Sequence, residues 1–289
     1  MSCLEAFFYL GPTESLVQAS DLDLQLYLLQ LVQALKYENY TIPTPATLSY
    51  EDPTLASQTA RSEETLSGSS APSLPPVNMS VEEVSTSNNV LGNDDENISL
   101  SSFLIHRACC NSSLANYFYW YLLTECEEQE GGMKKDAIVQ DMYKSVLNRF
   151  LHTLETGSAS LRARKSVLER QHAFLDRIVN LVKTVARESG NRKKKIEKFQ
   201  SLLLESEDSS EFSYIQFDVI PFPLDPAIQI NGIVAEKATL FKSSLMPAKI
   251  TFTTESGEEY VAIFKNGDDL RQDQLILQVH MYTITLEET

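Results

Sequence analysis

The sequence is poor in cysteine and in positive charge, and it contains no long apolar run. Four of its 289 residues are cysteines, at positions 3, 109, 110 and 126, and no two have the C-x-x-C spacing typical of zinc and redox sites. We find no basic-then-apolar signal segment and therefore expect reduced thiols in a cytoplasmic protein. The apolar stretch 4–10 is far too short to span a bilayer.

Acidic residues outnumber basic ones, with 40 Asp and Glu against 24 Lys and Arg and a formal net charge of -16. Nucleic-acid phosphates would repel such a chain, so we exclude a general nucleic-acid-binding protein. Hydrophobic residues make up 43% and aromatic residues 9%, which is ample for a packed core. The length allows one large domain or two smaller ones.

A stripe of apolar residues at helical spacing begins after residues 1–20, which show no pattern and carry no assignment. A second apolar face on the same segment predicts a helix buried between neighbours, as in a helical solenoid. The two faces consist of Leu24, Leu28, Leu31, Val32 and Leu35 and of Leu22, Leu26 and Leu29.

Helical patterns return after residues 41–99, which we predict to be a disordered insert because Ser, Thr, Pro, Asn and acidic residues dominate it. A helix is expected to start at Ser101 and Ser102, and others over 114–126, 139–154 and 159–188. In the last of these, the residues predicted to face inward are Val167, Phe174, Ile178, Leu181 and Val185. Residues 21–205, with the insert, therefore form the end of a predicted helical array.

The only concentrated basic run, Arg192 to Lys195, opens the next predicted helix. One interpretation is contact with anionic lipid headgroups or with an acidic face of a partner. The other is a solvated helix surface beside the apolar residues that follow.

The period changes from helix to strand beyond a linker that starts at residue 206. Residues 221–226 are rich in proline and predict an extended segment. Strands are expected over 228–235, 238–241, 248–253 and 260–264, the last of them buried, with a hairpin turn at 255–257. The turn 266–269 ends in an Asp that can cap a following helix.

Two segments of this second part suit phosphate binding. The loop between the strands ending at 241 and starting at 248 carries small hydroxyl residues and one Lys, and it can present backbone N–H groups to phosphate oxygens. Lys265 lies where a strand leaves the sheet, beside a helix that carries Asp273. The alternative is a solvated Lys at a strand end.

The residues around Lys265, Phe-Lys-Asn-Gly-Asp-Asp-Leu-Arg-Gln-Asp at 264–273, resemble the ATP-lysine segment of the phosphatidylinositol 3- and 4-kinase family. Residues 28–38 and 103–126 are similar to the helical (PIK) domain of that family, and residues 187–195 and 240–248 resemble its class III catalytic subunits in particular. The resemblance implies an α+β fold. A solenoid-like helical-repeat segment over 21–205 would precede the antiparallel-sheet N-lobe of a kinase over 206–289, with the C-lobe missing.

The resemblance also implies roles for matched positions. The residues that would contact the nucleotide are Phe241, Lys242, Ser243, Ser244, Ile263, Lys265 and Asp273. The first four would form the phosphate-binding loop, and Lys265 would contact the ATP phosphates. Asp273 would line the inner end of the pocket and help to hold the lysine region, and Ile263 would form a wall for the adenine.

Family resemblance further implies a lipid kinase that uses ATP with Mg²⁺ or Mn²⁺ to make phosphatidylinositol 3-phosphate in endosomal trafficking and autophagy. Its implied partners are a regulatory kinase-like subunit, a Beclin-type subunit and a phosphatidylinositol membrane, with no nucleic acid. Its implied location is cytoplasmic and peripheral on endosomal or autophagosomal membranes.

The sequence departs from the family pattern after His280, and its 289 residues contain neither the Asp-Arg-His of the catalytic loop nor the metal-binding Asp-Phe-Gly. We therefore expect this chain to be inactive alone, because phosphoryl transfer depends on metal ions and positioned groups. The second interpretation is a non-catalytic fragment that binds the regulatory subunits. The third is a splice or gene-model product that does not accumulate.

Overall fold

The computed structural model describes residues 18–38, 99–127, 136–205 and 212–287. The predicted insert 41–99 lies outside these ranges except for Ser99, as does most of the unassigned segment 1–20. Seven helices are described, namely α1 (Asp21–Ala34), α2 (Leu100–Cys110), α3 (Ser112–Cys126), α4 (Ala137–Thr156), α5 (Ala159–Arg187), α6 (Arg192–Leu204) and α7 (Arg271–Glu287). The strands are β1 (Ile220–Phe222), β2 (Asp225–Ile233), β3 (Thr239–Leu240), β4 (Ala248–Thr254) and β5 (Glu259–Phe264). The predicted α+β fold, helices followed by an antiparallel sheet, is confirmed.

Each of the first six helices begins after a side chain that accepts a backbone N–H of the first turn. Such caps satisfy N–H groups that have no partner within the helix. The capping residues, in order, are Ser20, Ser99, Asn111, Asp136, Ser158 and Asn191. Ser99 accepts the N–H of Ser102 at 3.2 Å. The predicted start of α2 at Ser101 and Ser102 was therefore late, because the earlier serine is the cap.

The first hydrophobic core is formed by α1 to α4 and the beginning of α5. Phe118 and Phe150 are fully buried at its centre, with ring centroids 5.2 Å apart in an edge-to-face contact. The predicted second face of α1 is only partly buried, since Leu29 is 3% exposed and Leu22 is 78% exposed. Leu22 lies in the first turn, so the neighbouring helices cover the second face farther along α1 but not its start.

The second core lies between the sheet and the two helices that precede it, α5 and α6. Because α5 is 29 residues long, it contributes Leu168 to the first core and Phe174 onward to the second. Val167, predicted to face inward, is only half-buried, and Leu168 takes the buried position. The domain boundary at 205/206 stays a prediction.

The sheet is antiparallel, and β4 pairs with β2, β3 and β5. The proline-rich stretch, predicted only to be extended, contains most of β1 and the start of β2, and the two strands form a hairpin in which Phe222 pairs with Asp225. Proline is tolerated there because β1 lies at the edge of the sheet and need not donate a full ladder of hydrogen bonds. Strand β2 accordingly begins three residues earlier than predicted.

Strand β5 is not the buried strand that its composition predicts. Its residues alternate, so that Tyr260, Ala262 and Phe264 pack against the second core, while Val261 and Ile263 are 50% and 58% exposed. The prediction was wrong because a run of β-branched and aromatic residues does not show whether both faces of a strand are covered. Among the helices described, none combines the length and hydrophobicity required to cross a membrane.

Candidate functional site

Lys265 follows the last residue of β5, and its side chain is 37% exposed. Its Nζ lies 3.3 Å from Asp268 Oδ2, three residues further along the turn. An ion pair this exposed contributes about 0–1 kcal/mol to stability, so it holds the ammonium group only loosely. The amine is thus accessible at the end of a fixed strand.

The loop from Phe241 to Pro247 connects β3 to β4 and is tied to itself by backbone hydrogen bonds. The N–H of Phe241 donates to the carbonyl of Pro247 at 2.8 Å, and the N–H of Met246 donates to the carbonyl of Ser243 at 3.2 Å. Met246 has a φ of 43°, a left-handed conformation that closes the tight return into β4. The four predicted phosphate-binding residues, Phe241, Lys242, Ser243 and Ser244, are all exposed.

The register of the sheet brings this loop and the lysine together. Leu240 pairs with Ala248, and Ala248 pairs with Phe264, so the ends of β3, β4 and β5 lie in one row. Neighbouring strands are about 4.8 Å apart, which places Phe241 and Lys265 about 10 Å apart across the end of β4. Two segments separated by more than twenty residues thereby form one end of the sheet.

Ile263 is the second-last residue of β5, two residues before Lys265, and side chains on a strand alternate between its two faces. The partner of Ile263 across the ladder is Lys249, and the face that carries Ile263 is the one turned away from the second core. An exposed apolar side chain two residues before the lysine fits a wall for a planar ring. The adenine role of Ile263 stays a prediction.

Asp273 lies in the first turn of α7 and is exposed. The carboxylate that contacts Lys265 is Asp268, which the sequence had assigned only to the turn. Asp269 accepts the backbone N–H of Arg271, the first residue of α7, at 3.2 Å and pairs with its guanidinium, and its capping role stays a prediction. The role of Asp273 in holding the lysine stays a prediction.

A buried pair of amide side chains, missed in the sequence, joins the helices to the sheet. Gln171 on α5 is 0% exposed and donates from Nε2 to Asn116 Oδ1 at 2.8 Å and to the carbonyl of Pro221 at 2.7 Å. Asn116 on α3 donates to the carbonyl of Pro223 at 2.8 Å. Asn116 stands among apolar and aromatic neighbours on its helix, which was a signal for a buried amide, whereas Gln171 lies between Arg170 and His172 and gave none.

One surface cavity, of about 350 Å³, lies beside the β4–β5 turn. It is lined by residues such as Thr254, Glu255 and Glu258, at the end of the sheet opposite Lys265. The glutamates in its lining would repel ATP phosphates, and the cavity is far from Lys265, so we assign it no role.

Comparison with known proteins places these observations in a family. Residues 13–162 match the accessory (PIK) domain of the phosphoinositide 3-kinase family, which is more than half of the chain. The chain belongs to the phosphoinositide 3-kinase family. The match covers most of the first core, and the second core begins beyond it at Phe174.

Relatives of this family extend the similarity into the sheet. The chain is 31% identical over 261 residues to phosphatidylinositol 3-kinase pik3 of Schizosaccharomyces pombe, a match that covers 90% of this chain and 25% of that protein. It is 33% identical over 269 residues to phosphatidylinositol 3-kinase VPS34 of Saccharomyces cerevisiae, covering 91% and 28%. It is 30% identical over 277 residues to phosphatidylinositol 3-kinase catalytic subunit type 3 of Caenorhabditis elegans, covering 90% and 28%. The chain thus spans about a quarter of the length of these relatives, and the family is one of lipid kinases.

Proposed function

We propose that the end of the sheet formed by the loop 241–247 and Lys265 binds the phosphates of ATP. The single observation that carries the proposal is the register Leu240–Ala248–Phe264, because the exposed loop and Lys265 directly follow these strand ends at the same end of the sheet. Backbone N–H groups of a short loop and one positioned cation together suit a polyphosphate. Phe241 to Ser244 would contact the phosphates, and Ile263 would lie against the adenine.

The reaction that we propose for the whole enzyme is transfer of the ATP γ-phosphate to the 3-hydroxyl of phosphatidylinositol. The names of the three relatives, all phosphatidylinositol 3-kinases, support it. Endosomal trafficking and autophagy, at the cytoplasmic side of those membranes, are the setting we propose.

A divalent metal ion, Mg²⁺ or Mn²⁺, would accompany ATP in such a kinase. Within residues 18–38, 99–127, 136–205 and 212–287 no group of three or more His, Cys, Asp or Glu side chains is arranged to hold one. We therefore assign none of the described residues to the ion. We infer that the 289-residue chain alone does not phosphorylate phosphatidylinositol, and phosphatidylinositol 3-phosphate made by the purified chain would contradict this.

The nucleotide site is tested by ATP titration of the chain, followed by NMR or calorimetry. We expect Lys265→Met to raise the Kd for ATP about tenfold, because one charge-assisted contact is lost. Lys237→Met is the matched control, since it also removes an exposed positive charge and Lys237 pairs with Glu259. Glu259 is five residues from Phe264 along β5, about 17 Å away. Equal affinity losses in both variants would argue against a site at Lys265.

A second candidate function is the docking of regulatory subunits, and the buried first core favours it. Helices α1 to α4 pack around Phe118 and Phe150 without the sheet, so the helical part has its own folded surface. We propose the regulatory kinase-like subunit and a Beclin-type subunit as its partners. Co-precipitation with these subunits tests this, and binding no stronger than that of an unrelated acidic helical protein would exclude it.

A further inference from the structure

Strand β3 is only two residues long, and it holds one end of the candidate phosphate-binding loop. Its pairing runs from Thr239 opposite Lys249 to Leu240 opposite Ala248, and the next N–H, that of Phe241, donates toward Pro247. The backbone N–H and C=O groups of successive residues on a strand point to opposite sides. Those of residues 239 and 241 therefore point toward β4, and the carbonyls of Ala238 and Leu240 point away from it. Those carbonyls form an open strand edge.

Helix α6 covers this edge with two side chains rather than with another strand. Arg192 Nε donates to the carbonyl of Leu240 at 2.6 Å. Two turns further along the helix, Gln200 Nε2 donates to the carbonyls of Ala238 at 3.0 Å and Glu236 at 3.1 Å. The helix is itself anchored, since Phe199 and Leu203 are buried in the second core.

Arg192 occupies the position next to the loop. Leu240 is the last residue of β3, and its carbonyl belongs to the peptide bond that leads into Phe241. A guanidinium group donates a charge-assisted hydrogen bond, roughly twice as strong as a neutral one, and its planar shape fixes direction as well as distance. The bond is partly shielded from solvent. It therefore restrains the peptide from which the loop begins.

We propose that Arg192 is a positioning residue that orients the loop 241–247 for phosphate binding. This rests on the nucleotide site proposed above. It also gives the basic run at 192–195 a different role from either interpretation drawn from the sequence. Its first residue, Arg192, binds the edge of β3, whereas Lys193 and Lys194 pair with the nearby residues Glu197 and Glu188.

Lys193 provides a matched control for Arg192. It is the next residue of α6, carries the same charge and has a side chain that is 87% exposed, 3.9 Å from Glu197 on the same helix. Replacing it removes one positive charge from the same helical turn without touching the carbonyl of Leu240.

Amide hydrogen exchange and ligand affinity test the proposal on the full 289-residue chain. We expect Arg192→Ala to speed exchange of the loop amides about tenfold, and Lys193→Ala to leave it unchanged. The same variant should raise the Kd for ATP about tenfold and leave the Kd for adenosine unchanged, because adenosine has no phosphates for the loop to contact. Arg192→Lys should recover part of the ATP affinity, since an ammonium group can donate to the same carbonyl.

An equal loss of ATP and adenosine affinity in Arg192→Ala would overturn the proposal, since it would mean a general structural role. Unchanged loop exchange in that variant would overturn it too. If wild-type chain binds neither ligand, the proposed function fails, and faster exchange confined to the Arg192 variants still supports the restraint of the loop. Should Arg192→Ala fail to fold, Arg192→Gln takes its place, with a smaller change expected in the same direction.

Discussion

The two cores of this protein are closed to different extents. In the first, helices α1 to α4 surround Phe118 and Phe150, and each of these helices begins at a capping side chain. In the second, α5 and α6 cover one face of the sheet, while Val261 and Ile263 on the other face are half or more exposed. Closed packing stabilises a fold, and an open sheet face leaves room for a ligand. The difference therefore separates the stable part of the molecule from the candidate site.

The largest expected effect breaks the first core. Phe150→Ala should lower the free energy of unfolding by about 3–5 kcal/mol, because Phe150 is 0% exposed and leaves a cavity against Phe118. Ile263→Ala, on the open face, should change it by less than about 0.5 kcal/mol. Urea denaturation of both variants checks the contrast, and comparable losses would show that the two regions are equally closed.

A smaller effect is expected where the two regions meet. Gln171→Leu should cost about 2–3 kcal/mol, since it leaves the amide oxygen of Asn116 and the carbonyl of Pro221 without their buried donor. With Asn116→Leu added, the total loss should be less than the sum of the two single losses, because the residues share one network. A double-mutant cycle measures the coupling, and strict additivity would mean that the amides act independently.

The smallest effect is a pH dependence confined to the first region. Arg107 donates to Asp21 at 2.7 Å, and this hydrogen bond holds the pKa of the Asp21 carboxyl below its usual value. A depressed pKa contributes stability above the unfolded value of about 3.9 and loses it as pH falls through the folded value. We expect the wild type to lose stability more steeply than Asp21→Asn below about pH 4.

Asp23→Asn is the control for this pH effect, because Asp23 lies on the same helical turn and its side chain accepts from the hydroxyl of Ser20 rather than from an arginine. Thermal melts between about pH 2 and pH 7 follow the stability of all three proteins across the relevant range. If the melting temperatures of wild type and Asp21→Asn fall equally at acidic pH, the ion pair between Asp21 and Arg107 adds no stability.

Much of the fold follows from local patterns in the sequence. The stripe Val139, Met142, Val146, Phe150 and Leu154 predicts α4 and its buried face. The last four residues are buried, and Val139 in the first turn is half-buried. The segment Asn111-Ser112-Ser113 predicts the start of α3, where the side chain of Asn111 accepts two backbone N–H groups. Caps and 3.6-residue periods involve neighbours in sequence, so they can be predicted without knowledge of distant contacts.

The sequence predictions fail where the burial or the partner of a residue depends on a distant part of the chain. Val261 and Ile263 have the composition of core residues, yet one face of β5 is open, because the helices pack on the other face of the sheet. Gln171 looks like a surface residue of α5, but its partners are 50 and 55 residues away in sequence. Neither the open face of β5 nor the partners of Gln171 can be recognised from neighbouring residues in the sequence.

The candidate site shows the same division. Lys265 and the loop 241–247 stand out by residue type and position at strand ends, and their resemblance to a kinase segment is carried by contiguous residues. Strand register brings the loop and the lysine to the same end of the sheet. The packed structure also sets which carboxylate contacts the lysine, Asp268 rather than Asp273, and the hydrogen bond from Arg192 to Leu240.

The sequence by itself determined which segments are helix or strand, where most helices start, and the family to which the chain belongs, because these depend on the types and spacing of nearby residues. Only the tertiary structure decided which face of the sheet is closed, which polar groups pair across the cores, and which segments meet at the end of the sheet. Those outcomes depend on contacts between residues far apart in the chain, whose energies are settled only when the whole fold is packed.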